Sequence, residues 1–525
     1  MSEERYLHCR VLSTDGVYRM NQVERLTDGR LFTLACIGKS DRDGHFSTEP
    51  VSQFLIGRTS SNEGKTWQAP SFFFEFPEKE GDMYPGAFLI DRCGRIHAFF
   101  LRIFGITWKT AGTTGDIMYL RMDDETGRNL IFKKLECLDR YSGSMNNLIE
   151  LGSGRIVAPF STLSGAEGSA FVSSVVYSDD GGDTWSASND VEVISDEEDV
   201  ESGAVEPVVA EAAPGVLVML IRTVRSRLWY AVSYDEGASW TEAAPTKIPS
   251  SNAPCVPLVL RDGRILLSWN DVLGEPMRGV RYSFARQCLH AAVSKDGLRT
   301  LEGVRIIVRK RACDPDRVLN CYPFASHAGD GDVFLRPFSV YNDDVHWGEP
   351  QGTLLRLHPD DLLETETDNN FEEWITDCVS GPDGLCLTAT KENVAYACVN
   401  FPYAQEGEIT LGAAGENVPA GAKILLSDCY LDRLNFLPEK REGRYAKIVG
   451  RPYVEAGLPA GGNWRISWDK EKLTVAGKET LTVPLHSWGR GFNHMILLFE
   501  GEGRIDIRTF HMKAVKGGME TGISY

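Results

Sequence analysis

The feature that most constrains this chain is a repeat. Six times before residue 355 a short glycine turn launches an apolar strand: TDGRLFTLA at Gly29, RCGRIHAFF at Gly94, GSGRIVAPF at Gly154, APGVLVMLI at Gly215, RDGRILLSW at Gly263 and GDGDVFLRP at Gly331. Successive glycines lie 65, 60, 61, 48 and 68 residues apart, too close for separate domains and about right for four-stranded units. Closing six such units into a ring removes the sheet edges that a linear stack would expose. The spacing therefore predicts a six-bladed β-propeller over residues 1–357.

A second signature, Ser-x-Asp-x-Gly-x-Thr-Trp with tolerated changes, sits later in most units. It reads Ser60 to Trp67, Ser178 to Trp185 and Ser233 to Trp240, and is degenerate from Ser294 to Leu301, where leucine replaces the tryptophan. The Asp or Asn can bond backbone amides inside a turn, the glycine takes a positive φ, and the tryptophan is expected to pack the turn onto its own sheet. These residues are structural. After the repeats comes an acidic connector, expected to be a linker over residues 358–370. Residues 371–525 alternate strand and turn without the sixty-residue period, which predicts a separate C-terminal β-sandwich, jelly-roll-like.

Composition supports an all-β chain. Of 525 residues, 42% are apolar, 10% aromatic, and 51 are glycine, as many short strands and tight turns require. The formal net charge of -19 argues against a nucleic-acid partner, which needs a concentrated basic patch. No apolar run is long enough to span a membrane. The opening MSEERYLHCRVLSTDG has no basic segment followed by an apolar run. A cytoplasmic location is expected, or a secreted one if a leader was trimmed. The 12 cysteines are scattered without a CxxC pair and read as reduced, mostly buried thiols. No His/Asp/Glu cluster has metal-ligand spacing, so neither metal nor other cofactor is expected.

A propeller gathers the loops of every blade around its axis, so polar residues far apart in sequence can meet there. Three arginines stand between apolar or small residues at such positions: Arg19, Arg222 and Arg286. Converging guanidiniums would bind a carboxylate by charge-assisted, partly bidentate hydrogen bonds.

With these residues and the Asp-box turns, the stretch from about 10 to 345 resembles the sialidase (neuraminidase) family. Tyr18-Arg19 is similar to its Phe/Tyr-Arg-Ile-Pro motif, and the spacing of 16 from Glu206 to Arg222 is similar to that of its bacterial members. The resemblance implies that Arg19, Arg222 and Arg286 clamp the sugar carboxylate. It implies Tyr322 as nucleophile, Glu206 as the base that activates it, and Asp43 as acid/base, with Asp41 in reserve. Asp82 matches a second-blade acid that lines the pocket, and Trp108, His45, Asn146 and Asn147 lie near other blade entrances, where they could face sugar substituents or form loop surface.

The chemistry fits these residue types. A sialoside carries its carboxylate on the anomeric carbon, where a carboxylate nucleophile would be repelled, whereas a tyrosine polarised by glutamate is neutral before attack. The resemblance thus implies a retaining exo-glycosidase releasing a terminal sialic acid, or a related nonulosonic acid, from a carboxylate-bearing oligosaccharide. Met20 and Asn21 depart from the family's opening motif, Lys39 or Arg42 would stand for a further arginine, and Tyr341-Asn342 falls where many members have a glutamate. Two other readings stay open: a lyase, hydrolase or transglycosylase acting on another carboxylate sugar, and a non-catalytic glycan-binding propeller. A homo-oligomer through the C-terminal domain is a further expectation.

Overall fold

The computed structural model describes residues 9–13, 22–37, 52–77, 81–104, 114–136, 145–163, 170–194, 202–271, 286, 288–309, 317–342, 351–368, 373–375, 379–381, 384–389, 395–414, 421–427, 453–485, 491–499 and 502–525. Six antiparallel sheets form the blades of a propeller. Their first strands, which lie nearest the axis, are Glu24–Arg25, Asp82–Ile90, Ile149–Glu150, Val205–Ala213, Val256–Val259 and Arg317–Gly329. Each turns at one of the six predicted glycines into a second strand. All six glycines take positive φ, from 75° at Gly215 to 94° at Gly154, a conformation that a Cβ would strain. The ring closes because the strand Arg10–Ser13 supplies the outer edge of the sixth blade, pairing with Leu354–Leu357.

The Asp-box turns form the expected bonds. In the fourth blade Ser233 Oγ donates to Asp235 Oδ1 at 2.7 Å, while the amides of Gly237 and Ser239 donate to Ser233 Oγ and Asp235 Oδ1, both at 2.8 Å. The same ladder recurs at Ser60, Ser178 and Ser294. In the degenerate turn Leu298 occupies the glycine position with φ 71°.

The tryptophans pack with their own sheets, as expected, and also reach the preceding blade. Trp185 meets Phe99 and Tyr119 of the second blade edge-on, at 5.1 and 5.0 Å between ring centroids. Trp240 packs among Leu151, Val157 and Val175 of the third and Leu217 and Ala231 of its own. The turn overhangs its neighbour, so its large ring fills the seam between blades. Trp240→Ala should lower the free energy of unfolding by about 3–5 kcal/mol, read as a reduced urea midpoint with unchanged slope.

Where the fifth blade has Leu301 instead of tryptophan, the end of the chain fills the seam. Met519 and Ile523 pack with Leu298, Leu301 and Tyr230, and Met519–Glu520 adds a strand against Leu301 and Thr300. Tyr525 lies under Arg299, whose guanidinium is 3.9 Å from the ring centroid.

Part of the acidic connector is docked on the propeller. A short 3-10 turn, Pro359–Leu363, buries Leu362 against the fifth and sixth blades, and the buried Arg305 donates to the carbonyls of Leu362 and Glu364. Among the described residues no helix is long and apolar enough to cross a membrane. The described residues of the C-terminal region form one twelve-stranded sheet. Its long strands Ala395–Ala413 and Gly503–Gly517 each pair with several others, curling the sheet into a nearly closed, barrel-like shell. Phe401, Trp464, Trp468, Phe492 and Phe510 fill its interior. The two layers expected of a sandwich are joined through these strands. Among the described cysteines, Cys36, Cys255, Cys288, Cys321 and Cys398 are buried thiols.

Candidate active site

Two first strands are interrupted at the same kind of place. In the fourth blade Val205 lies opposite Arg222 and Val208 opposite Leu220, so the ladder slips at Glu206-Pro207. In the sixth, Cys321 lies opposite Phe338 and Phe324 opposite Arg336, so it slips at Tyr322-Pro323. Proline has no amide for the ladder, and a bulge is where a strand tolerates it. At each break the residue before the proline takes a left-handed backbone, φ 44° at Glu206 and 47° at Tyr322. Outside glycine this conformation is uncommon, and strain of this sort collects at functional positions. The Glu206 amide is held by Ser161 Oγ of the third blade at 3.0 Å.

These bulges bring the two side chains together. Tyr322 Oη donates to Glu206 Oε1 at 3.1 Å. Arg222, at the end of the strand paired with that of Glu206, donates from Nη1 to Tyr322 Oη at 3.0 Å and to Glu206 Oε2. Its Nε donates to Asn252 Oδ1 at 2.6 Å. Arg286 donates from Nε and Nη2 to the Asn252 carbonyl and lies 5.4 Å from the Tyr322 ring centroid, within cation–π range. Four of the sequence-marked residues thus converge from the fourth, fifth and sixth blades.

Burial raises the Tyr322 pKa above the ordinary tyrosine value, and the charge of Glu206 raises it further, against the opposing pull of Arg222 and Arg286. The hydroxyl is therefore protonated at neutral pH. It donates to a carboxylate while accepting from a guanidinium, the arrangement in which a phenol can lose its proton as its oxygen attacks.

Asp82 is buried at the start of the second blade's first strand. Arg19 and Asp43, with Asp41, His45 and Trp108, lie outside the described residues. Asn146 and Asn147 are buried rather than loop surface, and Asn147 binds the backbone of Val209 through donor and acceptor at 2.7 and 3.1 Å. It joins the third blade to the fourth, which explains a polar side chain in that seam. Asn252, which links the two arginines, was missed because nothing local marks an asparagine in SSNAPC. The Pro207 and Pro323 breaks within apolar strands were the legible signal for the bulges. A cleft of about 690 Å³ lies elsewhere, between the fifth blade and the C-terminal sheet, lined by Lys247, Tyr403, Lys470 and Lys516 among others. Among the described residues no group of three His, Cys, Asp or Glu could hold a metal ion.

Comparison with known families matches residues 58–335 to the BNR repeat-like domain. The chain belongs to that family. The match runs from the first blade into the sixth and takes in Glu206, Arg222, Arg286 and Tyr322. No curated protein matches this BNR-repeat chain. Among solved structures it is similar to a protein of unknown function from Dyadobacter fermentans, at 19% identity over 67% of this chain and 99% of that one, TM-score 0.48. It is also similar to the Trypanosoma rangeli sialidase, at 10% identity over 95% and 92%, TM-score 0.43. A third similar structure is the NanB sialidase of Streptococcus pneumoniae, at 12% identity over 68% and 71%, TM-score 0.47.

Proposed function

We propose that this BNR-repeat propeller is a retaining exo-glycosidase of sialidase type, acting on a terminal carboxylate-bearing sugar. The observation that carries the reading is the triangle of Tyr322, Glu206 and Arg222, two of whose corners sit in left-handed backbone at bulges of separate blades. A fold used only for packing has no need of two such positions aimed at each other.

In this reading Tyr322 Oη attacks the anomeric carbon while its proton passes to Glu206 Oε1. The bond to the leaving oxygen breaks as that oxygen takes a proton from an acid, the role proposed for Asp43. Water then attacks the same carbon, giving its proton to that acid/base, and the tyrosyl bond breaks as Glu206 returns its proton to Oη. Two displacements retain configuration. Arg222 and Arg286 hold the developing phenolate charge and face the sugar carboxylate. Asp82 is assigned to the pocket wall of the second blade.

The reading is tested with a fluorogenic α-sialoside, following aglycone release and the first-formed anomer by NMR. Release with the α-anomer appearing first is expected. No release across pH 4 to 8, or the β-anomer first, would overturn it.

A further inference from the structure

The sixth blade carries a buried charge that the triangle does not use. Arg336 lies on the strand Asp332–Asn342 opposite Phe324, two residues beyond Tyr322 along the sheet. It is 7% exposed. Among the described residues no hydrogen-bond or ion-pair partner approaches it, and burial alone lowers its pKa to about 10. The direction of its side chain follows from the alternation of the strand. Phe334, two residues earlier on the same face, packs with Val23 and Leu31 of the first blade, and its cross-strand neighbour Ser326 donates to the Val23 carbonyl. Arg336 therefore faces the seam between the sixth and first blades, one pleat below the Tyr322 bulge. On the strand across that seam, Arg25 is already paired with Glu63.

The donors of the other two arginines are partly committed. Arg222 serves Asn252, Glu206 and Tyr322, and Arg286 serves the Asn252 carbonyl. An arginine has five N–H donors in a planar fork suited to a carboxylate or sulfate. A guanidinium taken out of water without a counter-charge is costly to keep, so a fold that retains one just below a site points to an anion that arrives with the ligand.

We propose that Arg336 is a second anion-binding position of the candidate site, so that the preferred ligand is a glycan bearing an acidic group in addition to the one at Arg222 and Arg286. This rests on the acidic-glycan reading above. The group bound is a carboxylate or a sulfate on the neighbouring sugar or on a substituent of the first.

The test is calorimetric titration of wild type, Arg336→Met and Arg336→Lys with three probes: N-acetylneuraminic acid, α2,8-linked di-N-acetylneuraminic acid and a sulfated sialoside. Thermal unfolding is followed in parallel. Wild type should bind at least one of the two dianionic probes at least tenfold more tightly than the monoanion. Arg336→Met should abolish that preference with thermal stability kept or raised, and Arg336→Lys should restore part of it. The probe that shows the preference tells carboxylate from sulfate. Equal preference in wild type and Arg336→Met overturns the proposal. So does a large loss of thermal stability in Arg336→Met with affinities unchanged, which would make Arg336 the partner of an acid within the chain. If sialosides are turned over but Arg336→Met binds like wild type, the glycosidase reading stands and this one falls. If the dianion preference depends on Arg336 without turnover, the reverse holds. Failure of all three probes to bind wild type overturns both.

Discussion

Tyr322→Phe is expected to retain the fold and to lower kcat on a fluorogenic sialoside by at least about two orders of magnitude, as removal of a nucleophile does. The phenolic oxygen is the one atom removed, and it contacts Glu206 Oε1 and Arg222 Nη1. The ion pair between Arg222 and Glu206 survives the change, so neither charge is left buried alone and the melting temperature should move little. Arg222→Met gives the contrasting result. It strands the buried Glu206 carboxylate without its cation and should destabilise the protein by about 3–5 kcal/mol as well as inactivate it. Measuring turnover and thermal unfolding on both variants separates loss of chemistry from loss of structure. Tyr322→Phe with wild-type turnover would remove Tyr322 from the mechanism.

The second large effect is on stability at acid pH. His290 of the fifth blade is buried beside Trp269, and among the described residues neither of its ring nitrogens has a hydrogen-bond partner. His494, on the facing C-terminal sheet, lies between Asn400 and Ser427 in the ladder. Burial, joined at His494 by the charges of Arg309 and His290, lowers both pKa values from 6.5 to about 3. Between pH 6.5 and 3 the unfolded chain binds protons at these sites and the folded chain does not. Stability is therefore full above pH 6.5 and falls as the pH drops. By pH 4.5 the two sites together should cost about 5 kcal/mol.

Glu24 works in the opposite sense. Its pKa is raised by burial to about 8, so its folded form holds a proton the unfolded form has lost, and stability falls as the pH rises from about 4.5 to 8. The histidine contribution is isolated by difference, comparing urea midpoints of wild type, His290→Phe and His494→Leu from pH 7.5 to 4.5. Each variant should lose about half of the histidine-dependent slope. Parallel profiles for all three would show that the seam carries no such linkage.

Much of this molecule was legible because its repeating parts obey local rules. Gly215 and its five counterparts announce hairpins through the positive φ they alone tolerate easily, and Ser233, Asp235 and Ser239 satisfy one another within seven residues. Arg222, Arg286, Glu206 and Tyr322 could be marked from the sequence, but the backbone that aims them could not. No local preference puts a glutamate or a tyrosine at φ near 45°; the surrounding blades impose it. Asn252 and Arg336 were missed for a related reason, since their meaning lies in neighbours from other blades. That Trp185 and Trp240 also reach the preceding blade was not legible, because a turn pattern specifies its own bonds and says nothing of what it overhangs.

The way the chain ends alters what kind of object the C-terminal sheet is. In sequence it is bracketed by propeller strands, with Leu354–Leu357 before it and Met519–Glu520 after it. It is thus an insertion into the propeller rather than an appendage, and Tyr525, Thr521 and Met519 act as its return anchor on the fifth blade. Unfolding the sheet pulls this anchor out of the seam that lacks a box tryptophan, and opening that seam frees the sheet's trailing end. These seven residues couple the two halves in addition to the seam that His290 and His494 share, so loss of order in either is also transmitted to the other along the chain itself.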